Sequence, residues 1–199
     1  MTYPDRIEVL RWLYGRLKPH RFLHTLGVEQ LAVQLASRHH LSVEMASSAA
    51  LLHDCAKNMS VEELLQVCDK AGVDLERNQD YPQLLHAFAA PIVAQKQFGS
   101  LPEELLNAIR FHTTGHAHMT PMEKLIFSAD YAEPGREPFP GLMEARDLIL
   151  QDLNRGTLLI LENTVQYLQN KKQSIHFYTL EALQSLRQEI QSEGRDNVQ

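Results

Sequence analysis

Six residues, His24, His53, Asp54, His86, His112 and Asp130, form an ordered series of imidazoles and carboxylates along the chain. Its anchor is the adjacent pair His53-Asp54, set in the apolar run Ala49-Ala50-Leu51-Leu52-His53-Asp54-Cys55-Ala56-Lys57. Burying even a neutral polar group without a partner costs about 2 kcal/mol or more, so a partner must offset this pair, and a bound cation is the simplest one. Imidazole and carboxylate donors suit iron, manganese or zinc, while the lack of thiolates in the series argues against a structural zinc cage. Such a donor set leaves roughly two or three coordination positions open for water and substrate. The natural chemistry is hydrolysis of a phosphate ester or anhydride, in which the cation activates water and stabilises charge on a phosphate oxygen.

The elements that must position these groups read as helices almost throughout, with no alternating strand pattern and no internal repeat. The fold class is therefore all-α, with helices predicted at 5–17, 22–39, 43–57, 60–71, 82–98, 102–112, 120–132, 141–152, 156–171 and 178–192. Breaks fall at Lys18-Pro19, Gly72, Gly99-Ser100-Leu101-Pro102 and Gly115, and above all in the segment from Pro134 to Gly141, whose three prolines and two glycines preclude a continuous helix. Ser42 and, more strongly, Ser60 ahead of Val61-Glu62-Glu63 mark helix starts. Pro91 predicts a kink near Ala87, about a turn from His86.

Helical spacing puts His24 on one face with Val28, Leu31 and Leu35, His53 with Ala46, Ala49 and Ala56, His112 with Leu105, Ala108 and Ile109, and Asp130 with Ile126. Asp54 is rotated by about 100° from His53, so one metal would sit at the boundary of their faces. Taken singly, each histidine reads as a packed, hydrogen-bonded core residue; the series as a whole favours a metal site. Lys57, three positions after Asp54, lies near it and suits either a phosphate contact with proton donation to a leaving group or a snorkelling surface role. Arg110, on a different face from His112, reads equally as a cation of the site or an ordinary surface charge. His39-His40, at a helix end, and His20 read as solvated, and His176 either as a helix-entry residue or as one that closes the site.

The 199 residues, 44% of them hydrophobic, suffice for one domain with a substantial core. A formal charge of -6 argues against a broad basic surface for nucleic acid, but leaves room for a small phosphorylated ligand in a local pocket. The two cysteines, Cys55 and Cys68, form no metal-binding motif and favour a reduced, cytoplasmic setting. No charged leader with an apolar segment and no membrane span is read, so the protein is expected to be soluble and unprocessed. Residues 191–199 are polar and expected to fray.

Phe22-Leu23-His24-Thr25, the His53-Asp54 run and Ala129-Asp130 resemble the signature of HD-domain phosphohydrolases. Within that superfamily, Leu85-His86, the segment Asn107 to Gly115 ending in His112-Thr113-Thr114-Gly115, Ala129 to Arg136 with its Glu133-Pro134-Gly135-Arg136, and Leu161-Glu162-Asn163-Thr164 resemble the YqeK-type symmetrical diadenosine tetraphosphate hydrolases, over about residues 19 to 182. The resemblance implies an HD hydrolase domain at 19–182, with an N-terminal helix at 1–18 packed on it and a helix end with a polar tail at 183–199. It implies iron, or another divalent metal such as manganese, bound through His24, His53, Asp54 and Asp130. His86 and His112 would ligate a second metal bridged by Asp54 or donate to substrate phosphate. It implies as substrate a dinucleoside polyphosphate, cut symmetrically to two ADP, with Asp54 and Lys57 in the chemistry and Arg136, Arg21 and Thr113 as phosphate contacts; a homodimer is compatible with it. The alternatives are an HD hydrolase of a nucleoside monophosphate, cyclic dinucleotide or guanosine tetraphosphate, and a nucleotide-sensing module without turnover. Two departures from the family pattern stand out: Ala87-Phe88 follows His86 in place of glycine and proline, and His116 stands where relatives commonly carry arginine.

Overall fold

Capping side chains start five of the helices. In the computed structural model, which describes residues 3–78 and 80–196, Asp5, Ser42, Ser60, Thr120 and Asp152 each accept from a backbone N–H of the following helix. Ser60 with Glu63 and Thr120 with Glu123 form complete capping boxes. The helices are α1 (Arg6–Tyr14), α2 (Pro19–Arg38), α3 (Val43–Leu52), α4 (Val61–Lys70), α5 (Leu75–Asn78), α6 (Leu85–Phe98), α7 (Glu103–Arg110), α8 (Pro121–Ala132), α9 (Leu142–Gln151), α10 (Leu153–Asn170) and α11 (Phe177–Asp196), with a 3-10 turn at Pro82–Leu84 before α6. No strand occurs among the described residues, and none of their helices is long and apolar enough to cross a membrane.

α8 is the axis of the bundle: Met122 to Ala129 are all buried, and α2, α7 and α10 pack around it. α3 fits between α2 and α7 on small side chains, with Ala46, Ala49 and Ala50 fully buried. α9 lies against α10, which is flanked in turn by α11.

Several boundaries differ from the sequence expectation. α3 stops at Leu52 instead of running to 57, so His53 and Asp54 open a series of tight turns, Cys55 N to Leu52 O (3.1 Å) and Lys57 N to Asp54 O (2.9 Å). α10 begins at Leu153 because Asp152 caps it through Arg155 N, which places Gly156 inside the helix. The stretch to Asp196 is helical where fraying was expected, since Asn154 donates to Glu193 and Lys124 to Glu189, pinning α11 from outside; residues 197–199 lie outside the described residues. Pro91 falls within α6, where it removes the donor that would have bonded the Ala87 carbonyl.

Two expectations follow. Gly156 is the crossing point of α9 and α10: a Cβ there would lie 2.7 Å from the Ile149 backbone. Gly156→Ala should destabilise the protein by about 1–3 kcal/mol and lower Tm by about 2–4 °C per kcal/mol in a thermal melt. His176 is buried among aromatic rings, its Nδ1 accepting from Tyr178 N–H and its Nε2–H donating to Asn78 Oδ1 at 3.0 Å. Burial first, with the nearby Arg77 charge, pushes its pKa down to about 4 from the usual 6.5. The unfolded chain therefore takes up this proton first, and the contribution of neutral His176 is complete above about pH 6.5 and is lost as pH falls toward 4. Urea unfolding at pH 7 and pH 5 should show an acid loss smaller by about 1 kcal/mol in His176→Gln than in the unsubstituted protein, allowing for solvent screening.

Candidate metal centre

An imidazole that donates from Nδ1 keeps its Nε2 lone pair for a metal. Helix ends leave carbonyls without an intrahelical partner, and two histidines just beyond such ends use them. His53 Nδ1 donates to Ala50 O at 2.6 Å in the last turn of α3, and His112 Nδ1 to Ile109 O at 2.7 Å in the last turn of α7. His86, at the start of α6, donates from Nδ1 to Gln83 O at 2.9 Å in the preceding 3-10 turn. His24 lies within α2, where the carbonyls are taken, and its Nδ1 donates to the Glu133 carboxylate at 3.1 Å. All four Nε2 atoms then face the two aspartates.

The structure brings together all six residues of the series. Asp130, in the last turn of α8, has Oδ1 3.0 Å from His24 Nε2 and 3.9 Å from His53 Nε2. Asp54 divides its carboxylate: Oδ2 is 3.9 Å from His24 Nε2 and 3.5 Å from His53 Nε2, while Oδ1 is 3.2 Å from His86 Nε2 and 3.7 Å from His112 Nε2. Two three-donor sets have ligand atoms within 4.8 Å of one another, His24-His53-Asp130 and His53-Asp54-His112. His86 stands beside the second set.

Among buried atoms, His24 Nε2, His53 Nε2 and Asp54 Oδ1 have no hydrogen-bond partner. Orphaned buried lone pairs are costly; divalent metal bound among these donors would satisfy them, and the nitrogen and oxygen donor set fits a transition metal. The residues present therefore fit a bound metal.

The electrostatics point the same way. Burial opposes charge on Asp54, yet His53, His112 and His86 outweigh it and hold the carboxyl well below the usual range. Asp130 is also held low, burial being outweighed by His24 and His53. His53 is raised, because the attraction of Asp54 and Asp130 exceeds its burial penalty, whereas burial pushes His86 down to about 4.

Of the expected cations, Arg21 Nη1 donates to Asp54 Oδ2 at 2.9 Å, and Arg136 donates from Nη2 to Asp130 Oδ1 at 3.0 Å and to the Asp130 carbonyl at 2.7 Å. Lys57 lies on His86, 3.0 Å from its Nε2, and burial lowers its pKa. The Thr113 hydroxyl is buried without a partner.

Glu133 is the site residue that sequence reasoning missed as an individual. It is 3% exposed and orients His24, while the Gly135 N–H also donates to it. Its signal was Gly27, an interior helix glycine one turn after His24: a Cβ at that position would collide with the Glu133 carboxylate. Arg146 reinforces the arrangement by donating to the Ala132 and Glu133 carbonyls at 2.8 and 2.6 Å.

The remaining histidines lie elsewhere. His116 binds Glu123 Oε2 at 3.0 Å, so it holds the capping box and not the site. His39, expected to be solvated, donates to Ile149 O at 2.6 Å and ties the end of α2 to α9, because that carbonyl faces it across the interface. His176 packs in its aromatic cluster at the entry to α11, and His20 and His40 are exposed. Arg110 bonds Asn107 and pairs with Glu103, as a surface charge does.

An HD domain model matches residues 21–135, a span that begins at Arg21 and ends just past Glu133. The chain is 37% identical to the symmetrical bis(5'-nucleosyl)-tetraphosphatase of Bacillus subtilis, over 86% of this chain and 91% of that protein. It is 35% identical to the protein of the same name from Halalkalibacterium halodurans, over 88% of this chain and 94% of that protein. A crystal structure from Clostridium acetobutylicum, described as a predicted HD superfamily hydrolase involved in NAD metabolism, superposes with a TM-score of 0.90 at 37% identity, covering 94% of this chain and 100% of that one. With the histidine and aspartate centre in place, the chain belongs to the HD-domain hydrolases and, among them, to the family of the symmetrical bis(5'-nucleosyl)-tetraphosphatases.

Proposed function

We propose that the protein hydrolyses diadenosine tetraphosphate symmetrically to two ADP, using divalent metal held by the histidine and aspartate series. The observation that carries this reading is the convergence of four Nε2 atoms on two carboxylates with three donor atoms left unpartnered, in a chain whose relatives are named for that reaction. His24, His53, Asp54 and Asp130 would hold one ion; His86 and His112, with the other oxygen of Asp54, would hold a second. Iron is our choice over manganese, because four imidazoles outnumber two carboxylates. Bound there, a divalent cation supplies charge neutralisation on phosphate oxygens and a water acidic enough to attack near neutral pH.

The chain's own residues do the rest. Arg21 and Arg136 are each paired with a carboxylate of the centre and partly exposed, at 25% and 36% of the side chain, so an arriving polyphosphate can engage their free N–H groups. Thr113 offers its unpartnered hydroxyl to a phosphate oxygen. In the reaction the water oxygen bonds to one inner phosphorus, and the bond from that phosphorus to the oxygen bridging the inner phosphates breaks. The bridging oxygen leaves with the second ADP. Lys57, half-buried beside His86, neutralises that departing phosphate and can hand it a proton. Two free, buried cysteines suit a reduced cytoplasmic setting, and a homodimer enters no step of this reading.

Chromatography of the products should show ADP alone from diadenosine tetraphosphate, together with co-purifying metal. Asp54→Asn should lower the rate at least about a hundredfold and reduce bound metal; equal activity and metal content in the two proteins would reject the mechanism. Glu133→Gln, which touches no reacting atom, should weaken metal affinity about 10- to 100-fold in a chelator competition while the fold is retained. An unchanged affinity would remove Glu133 from the centre.

A further inference from the structure

The loop 133–141 carries an aromatic residue, Phe139, three positions after Arg136, a guanidinium bonded to the centre. Arg136 reaches back to Asp130, bonding its carbonyl through Nε at 3.1 Å and Nη2 at 2.7 Å. Phe139, three residues on, is therefore no more than about 11 Å of chain from Arg136, within the length of one nucleotide. Its ring is 37% exposed, and among the described residues it has one ring neighbour, Tyr131, which follows Asp130 and meets it edge-on at 5.2 Å and 90°.

This ring is held firmly in place. Pro138 and Pro140 flank Phe139 and restrict its backbone. Arg136 N donates to Glu133 O at 3.1 Å, and Leu142 N to Phe139 O at 3.2 Å. Gly141 turns the chain with φ of +84°, and the Asn163 amide fills the space a Cβ there would need, 2.7 Å from its position. An edge-buttressed aromatic ring with an open surface, within one nucleotide's length of a cation suited to phosphate, matches the two ends of a nucleotide. Stacking on such a ring loses little conformational entropy.

We propose that Phe139 is the stacking platform for a purine base of the bound nucleotide, with Arg136 on the adjoining phosphates. The inference rests on the nucleotide-hydrolase reading above. It is tested by equilibrium binding of ADP and of pyrophosphate, a probe without a base, to the metal-loaded protein and to Phe139→Ala and Phe139→Trp. Phe139→Ala should weaken ADP between about 5-fold and about 150-fold, leave pyrophosphate unchanged, and be rescued by Phe139→Trp. Unchanged ADP affinity, equal loss of both probes, or a wild type that prefers pyrophosphate to ADP would overturn the proposal. Product chromatography separates the two readings: a wild type that yields no ADP from diadenosine tetraphosphate refutes the activity, while a selective loss of ADP binding in Phe139→Ala still assigns the base site.

Discussion

The centre depends on hydrogen bonds from histidine Nδ1 to oxygens that nothing else has claimed. At the ends of α3 and α7 those oxygens come free of charge from the backbone, because the last carbonyls of a helix have no N–H to meet them. His53 and His112 each reach back three residues, and the bond fixes both the tautomer and the ring plane. His24 has no such carbonyl, and everything particular about its surroundings follows from that. Glu133 supplies the acceptor, Gly27 leaves room for its carboxylate, and Arg146 holds the turn that carries it.

Charge is arranged around this geometry so that positive partners are required. Asp130 lies in the last turn of α8, where the helix dipole disfavours a carboxylate. Asp54 is 2% exposed at the end of α3, again at a negative pole. Arg21 covers Oδ2 of Asp54 and leaves its Oδ1 without a donor, while Arg136 bonds Oδ1 of Asp130, the oxygen that also faces His24. The centre is thus attractive to a divalent cation within and to an anion at its rim.

The histidine and aspartate series was legible because its residue types are out of place in apolar helices, and their spacing alone sets the faces from which they project. What the sequence concealed was where α3 ends. The alanine-rich run through Ala56 keeps helical periodicity and contains no glycine or proline, so it reads as helix to 57; the stop is made by His53 taking the Ala50 carbonyl and by the tight turns after it. Glu133 was hidden for a related reason. A carboxylate beside Pro134-Gly135 looks like a loop residue until the long-range contact with His24 is known. His39 similarly required knowledge of which carbonyl faces it across the α2 and α9 interface.

The groups of the centre come from α2, α3, α6, α7 and α8 or the turns at their ends, and His24 and its partner Glu133 are 109 residues apart in the chain. No fragment holding α2 and α3 alone, or α6 to α8 alone, contains a full donor set. Closing such distant contacts is slow and entropically costly, and it is complete only when the whole bundle has docked. Partly folded chains therefore offer a metal at most part of the donor set. Metal held by the series would in this way be coupled to folding of the whole bundle.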